Sequence, residues 1–245
     1  MNSPLLRTDD AGVCTLSLNR PDKLNALDEA TFEALAEQVT ALAGDESTCC
    51  VVLTGAGRSF CAGNDLEDIA SGNRPGDIHF RGRTVEALAS LPQPVVAAIR
   101  GHCFTGGLEL ALAADLLIAS ETARFADTHG KWGLTPIWGL TQRLPRRVGI
   151  PRAKAMMFTS RTLGAEEAAR IGLVDQVHAD GALESEVRTL CEAIVANSSF
   201  SNRAAKKMLD ETDGLPLADG IRFERDNSPG MAPDAMERIA AFTRR

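Results

Sequence analysis

Short apolar runs alternate with helical patterns along the first half of the chain. Between 28 and 43, apolar residues recur every three or four positions, which predicts an amphipathic helix. Repeated strand–loop–helix units over 1–120 favour an α/β fold with a largely parallel sheet. The predicted strands, of which the second and third suit burial on both faces of a sheet, are 13–18 (VCTLSL), 49–54 (CCVVLT), 94–99 (PVVAAI) and 116–119 (LLIA).

The second half of the chain has a different pattern. From Pro145 onward it is predicted to be mainly helical, interrupted by one short strand at 173–177. The polar residues 197–199 (NSS) mark the boundary that we predict between a core, 1–196, and a C-terminal helical region, 197–245. That region is too short and too charged to bury a core of its own, so we expect it to pack on the core or on a neighbouring subunit.

The overall composition narrows the class of ligand. Of the 245 residues, 44% are hydrophobic and 24% are charged, as in an ordinary globular protein. The formal net charge of −7 argues against a broad nucleic-acid surface, which would need a basic stripe. An anionic small ligand is still compatible with this charge, because a few cations and backbone amides can hold one phosphate group.

No segment resembles a secretory signal or a membrane span. The first ten residues lack a basic stretch followed by an apolar one, and no apolar run approaches the roughly 18 residues of a spanning helix. The six cysteines are scattered without a C-x-x-C pair, which favours reduced, buried thiols over disulfides or a cysteine zinc site. We therefore expect a cytoplasmic protein that binds neither membranes nor nucleic acids.

Two glycine-bearing turns, each after a predicted buried strand, are the candidates for chemistry. The first is 61–65 (CAGND), and the second, 101–109 (GHCFTGGLE), opens a helix that we expect to reach about Ala114. Unpartnered backbone N–H groups on two facing turns could form an oxyanion hole for a carbonyl oxygen. Glu109 would then be a general base. The alternative is structural: the glycines permit tight turns, and Glu109 complements the helix dipole.

Other glycine motifs are incomplete or absent. Residues 55–60 (GAGRSF) have a phenylalanine where a dinucleotide-binding turn needs glycine. Neither the G-x-x-x-x-G-K-[ST] phosphate loop nor the G-x-S-x-G nucleophile elbow occurs in the chain. The chain therefore lacks the usual motifs of nucleotide-dependent and serine-dependent enzymes.

Five segments in order resemble the enoyl-CoA hydratase/isomerase (crotonase) superfamily over nearly the whole chain. The resemblance implies an α/β fold, a crotonase-like spiral of β-β-α units, with a C-terminal helical trimerisation region. It also implies assembly as a homotrimer or a dimer of trimers. The segments are 18–27 (LNRPDKLNAL), 51–66 (VVLTGAGRSFCAGNDL), 94–119 (PVVAAIRGHCFTGGLELALAADLLIA), 140–149 (LTQRLPRRVG) and 161–177 (RTLGAEEAARIGLVDQV).

The same resemblance implies a site for an acyl-CoA thioester. Ala62 and Gly106 match the positions whose amides form the oxyanion hole. Lys23, Leu24 and Ala26 match the segment that lies along the adenine and pantetheine of coenzyme A. The remaining residues implied to contact substrate are Gly63, Asn64, Asp65, Leu66 and Trp138.

Three of these residues have structural alternatives. Lys23 is either a partner of a CoA phosphate or a solvated lysine. Asp65 either takes part in the site or caps the segment that follows it. Trp138 either forms a wall of the acyl pocket or packs in the core.

His129 is the main departure from the pattern of the superfamily. Glu109 matches the first catalytic glutamate of its hydratases, but the second, in a stretch resembling F-x-x-P-E, is replaced by His129 in FADTH (125–129). His129 could donate the proton to Cα, since imidazole titrates near neutral pH. It could instead only orient the water, or pack in a member with different chemistry. Asp127 could orient the ring if the segment is extended, or be a turn residue.

The function that we expect is hydration of a 2-enoyl-CoA, with Glu109 and His129 as the catalytic residues. The alternatives are another reaction of the superfamily (isomerisation, thioester hydrolysis or C–C cleavage) or acyl-CoA binding without turnover. No cofactor is implied, because coenzyme A is part of the substrate, and no pair of residues has metal-ligand spacing.

Overall fold

Two β-sheets form the framework of the computed structural model, which describes residues 3–70 and 77–243. The first sheet has the order β1-β2-β3-β4-β6-β9, in which only β1 is antiparallel to its neighbour. The second has the order β5-β7-β8. The strands are β1 (Leu5–Asp10), β2 (Val13–Leu18), β3 (Cys50–Gly55), β4 (Val95–Ile99), β5 (His102–Phe104), β6 (Leu116–Ser120), β7 (Arg124–Ala126), β8 (Leu163–Gly164) and β9 (Gln176–His178).

Helices surround the sheets and make up most of the chain after β7. A short 3₁₀ helix, Pro21–Lys23, precedes the first α-helix. The α-helices are α1 (Glu29–Ala43), α2 (Leu66–Ala70), α3 (Phe80–Ala89), α4 (Gly106–Ala111), α5 (His129–Trp132), α6 (Leu140–Val148), α7 (Ile150–Thr159), α8 (Ala165–Arg170), α9 (Leu183–Ala196), α10 (Ser199–Thr212), α11 (Leu217–Asn227) and α12 (Ala235–Thr243).

The strands predicted from apolar runs are confirmed, and two boundaries are corrected. The four runs of the first half are β2, β3, β4 and β6, and the predicted helix at 28–43 is α1, capped by Asp28. The strand predicted at 173–177 begins only at Gln176, because the amides of Leu173 and Val174 bond back to Ala168 at the end of α8. The helix after the second glycine turn ends at Ala111 rather than near Ala114, since tighter i→i−3 turns follow it.

The central strands are buried on both faces, as their composition predicts. On β3, Val51 and Leu53 belong to the larger apolar core, while Cys50 and Val52 belong to a second core on the opposite face. The larger core includes residues of α1 and α3, and the second includes residues of α9. Alternate residues of one strand thus enter different cores, which accounts for a run that is apolar throughout.

The first helix of the C-terminal region packs on the core of the same chain. Lys206 on α10 is 8% exposed, and its ammonium donates to Asp115 (2.7 Å) and to the carbonyl of Gln93 (3.1 Å). Arg203 donates to the carbonyls of Asp45 and Thr48 in the loop between α1 and β3. The helices beyond α10 expose large apolar side chains. That these helices pack on a neighbouring subunit stays a prediction. These side chains are Leu217, Ile221, Met236, Ile239 and Phe242.

All six cysteines are free thiols, five of them buried and Cys49 partly exposed. The sulfur atoms of Cys50 and Cys191 lie 3.8 Å apart, between the sheet and α9. In the part of the chain that the structure describes, no helix is long and apolar enough to cross a bilayer.

Candidate active site

The two glycine-bearing turns lie side by side. Cys61 pairs with Cys103 of β5: the Cys61 amide donates to His102 (2.8 Å), and the Phe104 amide donates to Cys61 (3.0 Å). Gly63 has a φ of +106°, and a Cβ there would lie 3.0 Å from the Phe104 carbonyl oxygen and 3.5 Å from the Gly106 nitrogen. The first turn therefore needs glycine both for its backbone conformation and for its close approach to the start of α4.

The amide of Ala62 is already engaged inside the protein. It donates to the carbonyl oxygen of Leu24 at 3.0 Å, so its hydrogen points into the fold and not toward a ligand. Asn64 is arranged differently. It pairs with Leu27 in a parallel bridge, in which the flanking Gly63 oxygen and Asp65 amide bond to Leu27.

In such a parallel bridge the amide of the central residue, here Asn64, points away from the partner residue, here Leu27. The Asn64 amide has no backbone acceptor among the described residues. The Ala62 amide is thus not available to a ligand, and the candidate donor on the first turn becomes Asn64.

The second candidate donor, Gly106, is the first residue of α4. Its amide has no partner within the described part of the chain, and the residue before it, Thr105, has a φ of +53°. A Cβ on Gly106 would lie only 2.6 Å from Cζ3 of Trp138, so the indole covers this residue directly. Any larger residue at 106 would displace the indole.

Glu109 is a buried carboxylate with one oxygen held in place. It is 2% exposed, and its Oε1 accepts from the amides of Trp138 (2.9 Å) and Leu140 (3.3 Å). Burial raises the pKa of Glu109 above its usual value, and the two backbone hydrogen bonds and nearby His129 partly oppose that rise. The other oxygen, Oε2, lies 3.7 Å from Nε2 of His129.

His129 lies between two carboxylates. Its Nδ1 is 2.6 Å from Oδ1 of Asp127, and the same oxygen accepts the His129 backbone N–H at 3.1 Å. The side chains of His129 and Asp127 are 6% and 2% exposed. His129 opens the short helix α5, so the two side chains meet through a turn and not by sharing a face of an extended strand.

A tether joins this turn to the start of α4. The amide of Thr128 donates to Oγ1 of Thr105 at 3.1 Å, and the two threonine hydroxyls are also hydrogen-bonded to each other. Thr105 immediately precedes the candidate donor Gly106. The turn that carries His129 is thus fixed to the turn that carries the oxyanion donor.

Trp138 packs in the core, as one of its two predicted roles requires, and also contacts the candidate site. It is 3% exposed and packs edge-to-face on Phe32 with ring centroids 4.8 Å apart, as a core residue does. Its indole also covers Gly106, and its backbone amide holds Glu109. The guanidinium of Arg143 donates to the Trp138 carbonyl at 2.8 Å and so supports this segment.

The predicted CoA-binding segment is tied to the first glycine turn. Arg20 donates to the carbonyl of Ala26 (2.6 Å) and to the carboxylate of Asp65 (2.9 Å). Asp65 also accepts from the Glu67 amide (3.0 Å), which is the capping role predicted for it. Lys23 pairs with Glu67 at 2.8 Å, so its ammonium already has an anionic partner.

Leu66, at the start of α2, is 44% exposed. Metal ligands form no cluster: within 3–70 and 77–243, no group of three or more His, Cys, Asp or Glu side chains is placed to hold an ion. The candidate active site therefore consists of the Asn64 and Gly106 amides, which are available to a ligand, and the buried side chains of Glu109, His129 and Asp127.

Comparison with known proteins shows which family the chain resembles. The family model described as enoyl-CoA hydratase/isomerase matches residues 8–237. A probable peroxisomal enoyl-CoA hydratase of Arabidopsis thaliana is 33% identical over 97% of this chain and 91% of its own length. The 1,2-epoxyphenylacetyl-CoA isomerase of Escherichia coli is 34% identical over 95% and 92%.

Among solved structures, an enoyl-CoA hydratase from Bacillus anthracis superposes with a TM-score of 0.93 and 35% identity, covering 98% of this chain and 96% of that one. A second, from Geobacillus kaustophilus, gives a TM-score of 0.89 at 30% identity, covering 98% and 95%. The predicted crotonase-like fold is confirmed by these superpositions.

Proposed function

The chain belongs to the enoyl-CoA hydratase/isomerase family, and on that premise we propose that it hydrates 2-enoyl-CoA thioesters to 3-hydroxyacyl-CoA. Similar proteins named as hydratases and as isomerases support an acyl-CoA reaction of this superfamily. The observation that carries hydration in particular is the pairing of Glu109 with His129 at 3.7 Å, beside two available amides. Hydration needs one group to take a proton from water and a second to return one to carbon.

In the proposed mechanism the thioester oxygen accepts hydrogen bonds from the Asn64 and Gly106 amides. Glu109 takes a proton from a water molecule, whose oxygen adds to Cβ, and negative charge develops on the thioester oxygen as the enolate forms. Donors already in place for that charge lower the barrier. His129, which carries hydrogen on both ring nitrogens at this point, then gives the Nε2 proton to Cα and keeps the one on Nδ1.

The two groups must afterwards exchange a proton. Glu109 is left protonated and His129 has lost its proton. Their separation of 3.7 Å lets a small movement or one water molecule return the proton and reset the site. The net reaction adds one water across the double bond, and the protein is unchanged.

A second candidate function is double-bond isomerisation at the same site. Here the Glu–His pair would move a proton from one carbon to another, and no water would be consumed. One similar protein, that of E. coli, is named as an isomerase. We rank it below hydration because the second glutamate on which isomerases of the superfamily generally rely is His129 here.

The proposal extends to assembly and to cofactors. The exposed apolar residues of α11 and α12 support a homotrimer or a dimer of trimers in which these helices are covered. No step of the mechanism needs a cofactor beyond the coenzyme A of the substrate.

The proposed function is tested with short, long and aryl 2-enoyl-CoA thioesters, followed by loss of enoyl absorbance. We expect at least one class to be consumed. If none is consumed while acetoacetyl-CoA, a mimic of the enolate, binds more tightly than free CoA in calorimetry, the protein is an acyl-CoA binder and not a hydratase.

Substitutions at His129 test its role as the proton donor. We expect His129→Gln to lower turnover, because the glutamine amide cannot give a proton to Cα. His129→Glu should keep or raise hydration of a small enoyl-CoA. The exposed His79, changed to glutamine, is the control and should have no effect.

A packing role predicts the reverse for the two His129 variants. The glutamine variant would keep full activity, and the glutamate variant would melt at lower temperature because it adds another buried carboxylate. Steady-state rates and melting curves of both variants separate the two roles.

A further inference from the structure

Asp127 touches His129 but no atom of the proposed reaction. We propose that Asp127 is a positioning residue that keeps the hydrogen of the neutral His129 ring on Nδ1 and presents Nε2 to Glu109 and the substrate. This inference rests on the proposed function for its effect on rate, but the arrangement of the ring can be measured without any substrate.

The first argument is the chemistry of the contact. The distance from Nδ1 of His129 to Oδ1 of Asp127 is 2.6 Å, which is a short hydrogen bond. An ionised carboxylate only accepts hydrogen bonds, so the hydrogen must be on Nδ1. In the neutral ring Nε2 is then the unprotonated nitrogen, and it is the nitrogen nearest Glu109.

The second argument is the rigidity of the contact. Oδ1 of Asp127 accepts both the ring Nδ1 and the backbone N–H of the same residue, so the carboxylate holds His129 at two points. Both side chains are almost fully buried, so water competes little for these bonds. The Thr128–Thr105 tether fixes the residue between them.

The third argument is the local charge. The charged groups nearest the ring are Asp127 on the Nδ1 side and Glu109 on the Nε2 side, with Arg143 near Glu109. A ring free to rotate or to change tautomer could offer an N–H to either carboxylate. The shorter contact to Asp127 removes that choice, because the hydrogen is held on one side.

A turn elsewhere in the chain separates this role from a purely structural one. Asp45 accepts the amide of Ser47, two residues later, at 2.8 Å, in the same way as Asp127 accepts that of His129. No histidine is bonded to Asp45. Asp45→Ala, which also removes the hydrogen bonds from the Ser47 and Thr48 hydroxyls and the ion pair with Arg7, is therefore a control for loss of such a turn where no histidine ring is held.

The test begins with the resting protein. Nitrogen-15 NMR of the histidine rings, with His129 assigned by its loss in His129→Gln, should show hydrogen on Nδ1 of the neutral ring. Asp127→Ala should shift the ring toward the Nε2–H form, and Asp127→Asn, which keeps an uncharged acceptor, should give a smaller shift. If the hydrogen of the neutral ring stays on Nδ1 in both Asp127 variants, the proposal is overturned.

The kinetic test uses the best enoyl-CoA. We expect Asp127→Ala to lower kcat by about 10²-fold with little change in KM, and Asp127→Asn to lower it less. In the His129→Gln background, Asp127→Ala should have almost no further effect, because Asp127 acts through the ring. A full additional loss in that background would show a structural role and refute the proposal. If no thioester is turned over, the proposed function fails, but the NMR result still shows whether Asp127 holds the hydrogen on Nδ1.

Discussion

Replacing Glu109 with glutamine is expected to lower turnover of the best enoyl-CoA substrate by about 10²–10⁴-fold. Glutamine keeps the shape of the side chain and can still accept from the Trp138 and Leu140 amides, but it cannot take a proton from water. The measurement is the steady-state rate, with circular dichroism to show that the fold is kept. Unchanged activity would make Glu109 structural.

The raised pKa of Glu109 gives this variant a second signature. A base works only when ionised, so the wild-type rate should fall as pH drops through a pKa above that of an ordinary carboxyl group. Because the folded-state pKa is raised, the native protein binds more protons than the unfolded chain, and stability falls as pH rises through that window. At neutral pH the glutamine variant should melt at the same temperature or higher.

Glu166 provides the matched control for the alternative hypothesis that Glu109 only complements the helix dipole. It also lies in the first turn of a helix, α8, but it is exposed. Glu166→Gln should leave turnover within about twofold and cost a few tenths of a kcal/mol at most. Equal losses in the two variants would mean that first-turn charge, and not basicity, explains the effect of Glu109.

Removing the amide hydrogen of residue 64 should lower turnover by about 10²–10³-fold, the typical cost of one lost oxyanion donor. The change is an amide-to-ester substitution, made by placing lactic acid at position 64 and comparing it with Asn64→Ala. The side chain is then the same in both proteins, and only the N–H differs. The rate on the best substrate is the readout.

The same substitution at Ala62 is the control that distinguishes the two candidate donors. Lactic acid there removes the hydrogen bond to Leu24, so it should lower the free energy of unfolding by about 1 kcal/mol. Turnover should change only a few-fold. If the ester at 62 abolished turnover and the ester at 64 did not, the assignment of Asn64 as the donor would be wrong.

The positions of the buried strands could be predicted from the sequence because burial leaves a pattern. The runs at 49–54 and 94–99 are almost entirely apolar, and the strands that they form are almost fully buried. β1 has no such signal: only Leu5 is buried, and the rest of this edge strand is partly or fully exposed. β5 and β7 are three residues each, too short for a periodicity to appear.

The residues of the candidate site could be predicted from the sequence, but the direction in which each backbone amide points could not. The motifs identified both glycine turns and Glu109. They did not distinguish Ala62 from Asn64, because the difference depends on which amide faces Leu24 and which faces away from Leu27. Such a bridge joins residues far apart in sequence, so no local pattern contains it.

Asp127 illustrates the same limit. An acidic residue two positions before a histidine suggests contact in a strand, yet the contact is made through the turn that opens α5. The nearness of His129 to Glu109 arises from the pairing of β5 with β7, which aligns the segments that follow each strand. Only the assembled sheet brings the acid–base pair together.

One measurement tests the central claim most directly: incubation of the protein with the best 2-enoyl-CoA in ¹⁸O-labelled water, followed by mass spectrometry of the products. Hydration predicts an intact CoA thioester that carries one ¹⁸O in a new hydroxyl on Cβ. Isomerisation would give an unlabelled thioester of unchanged mass. Hydrolysis would give free CoA and an acid labelled in its carboxyl group, and either of these results would contradict the account.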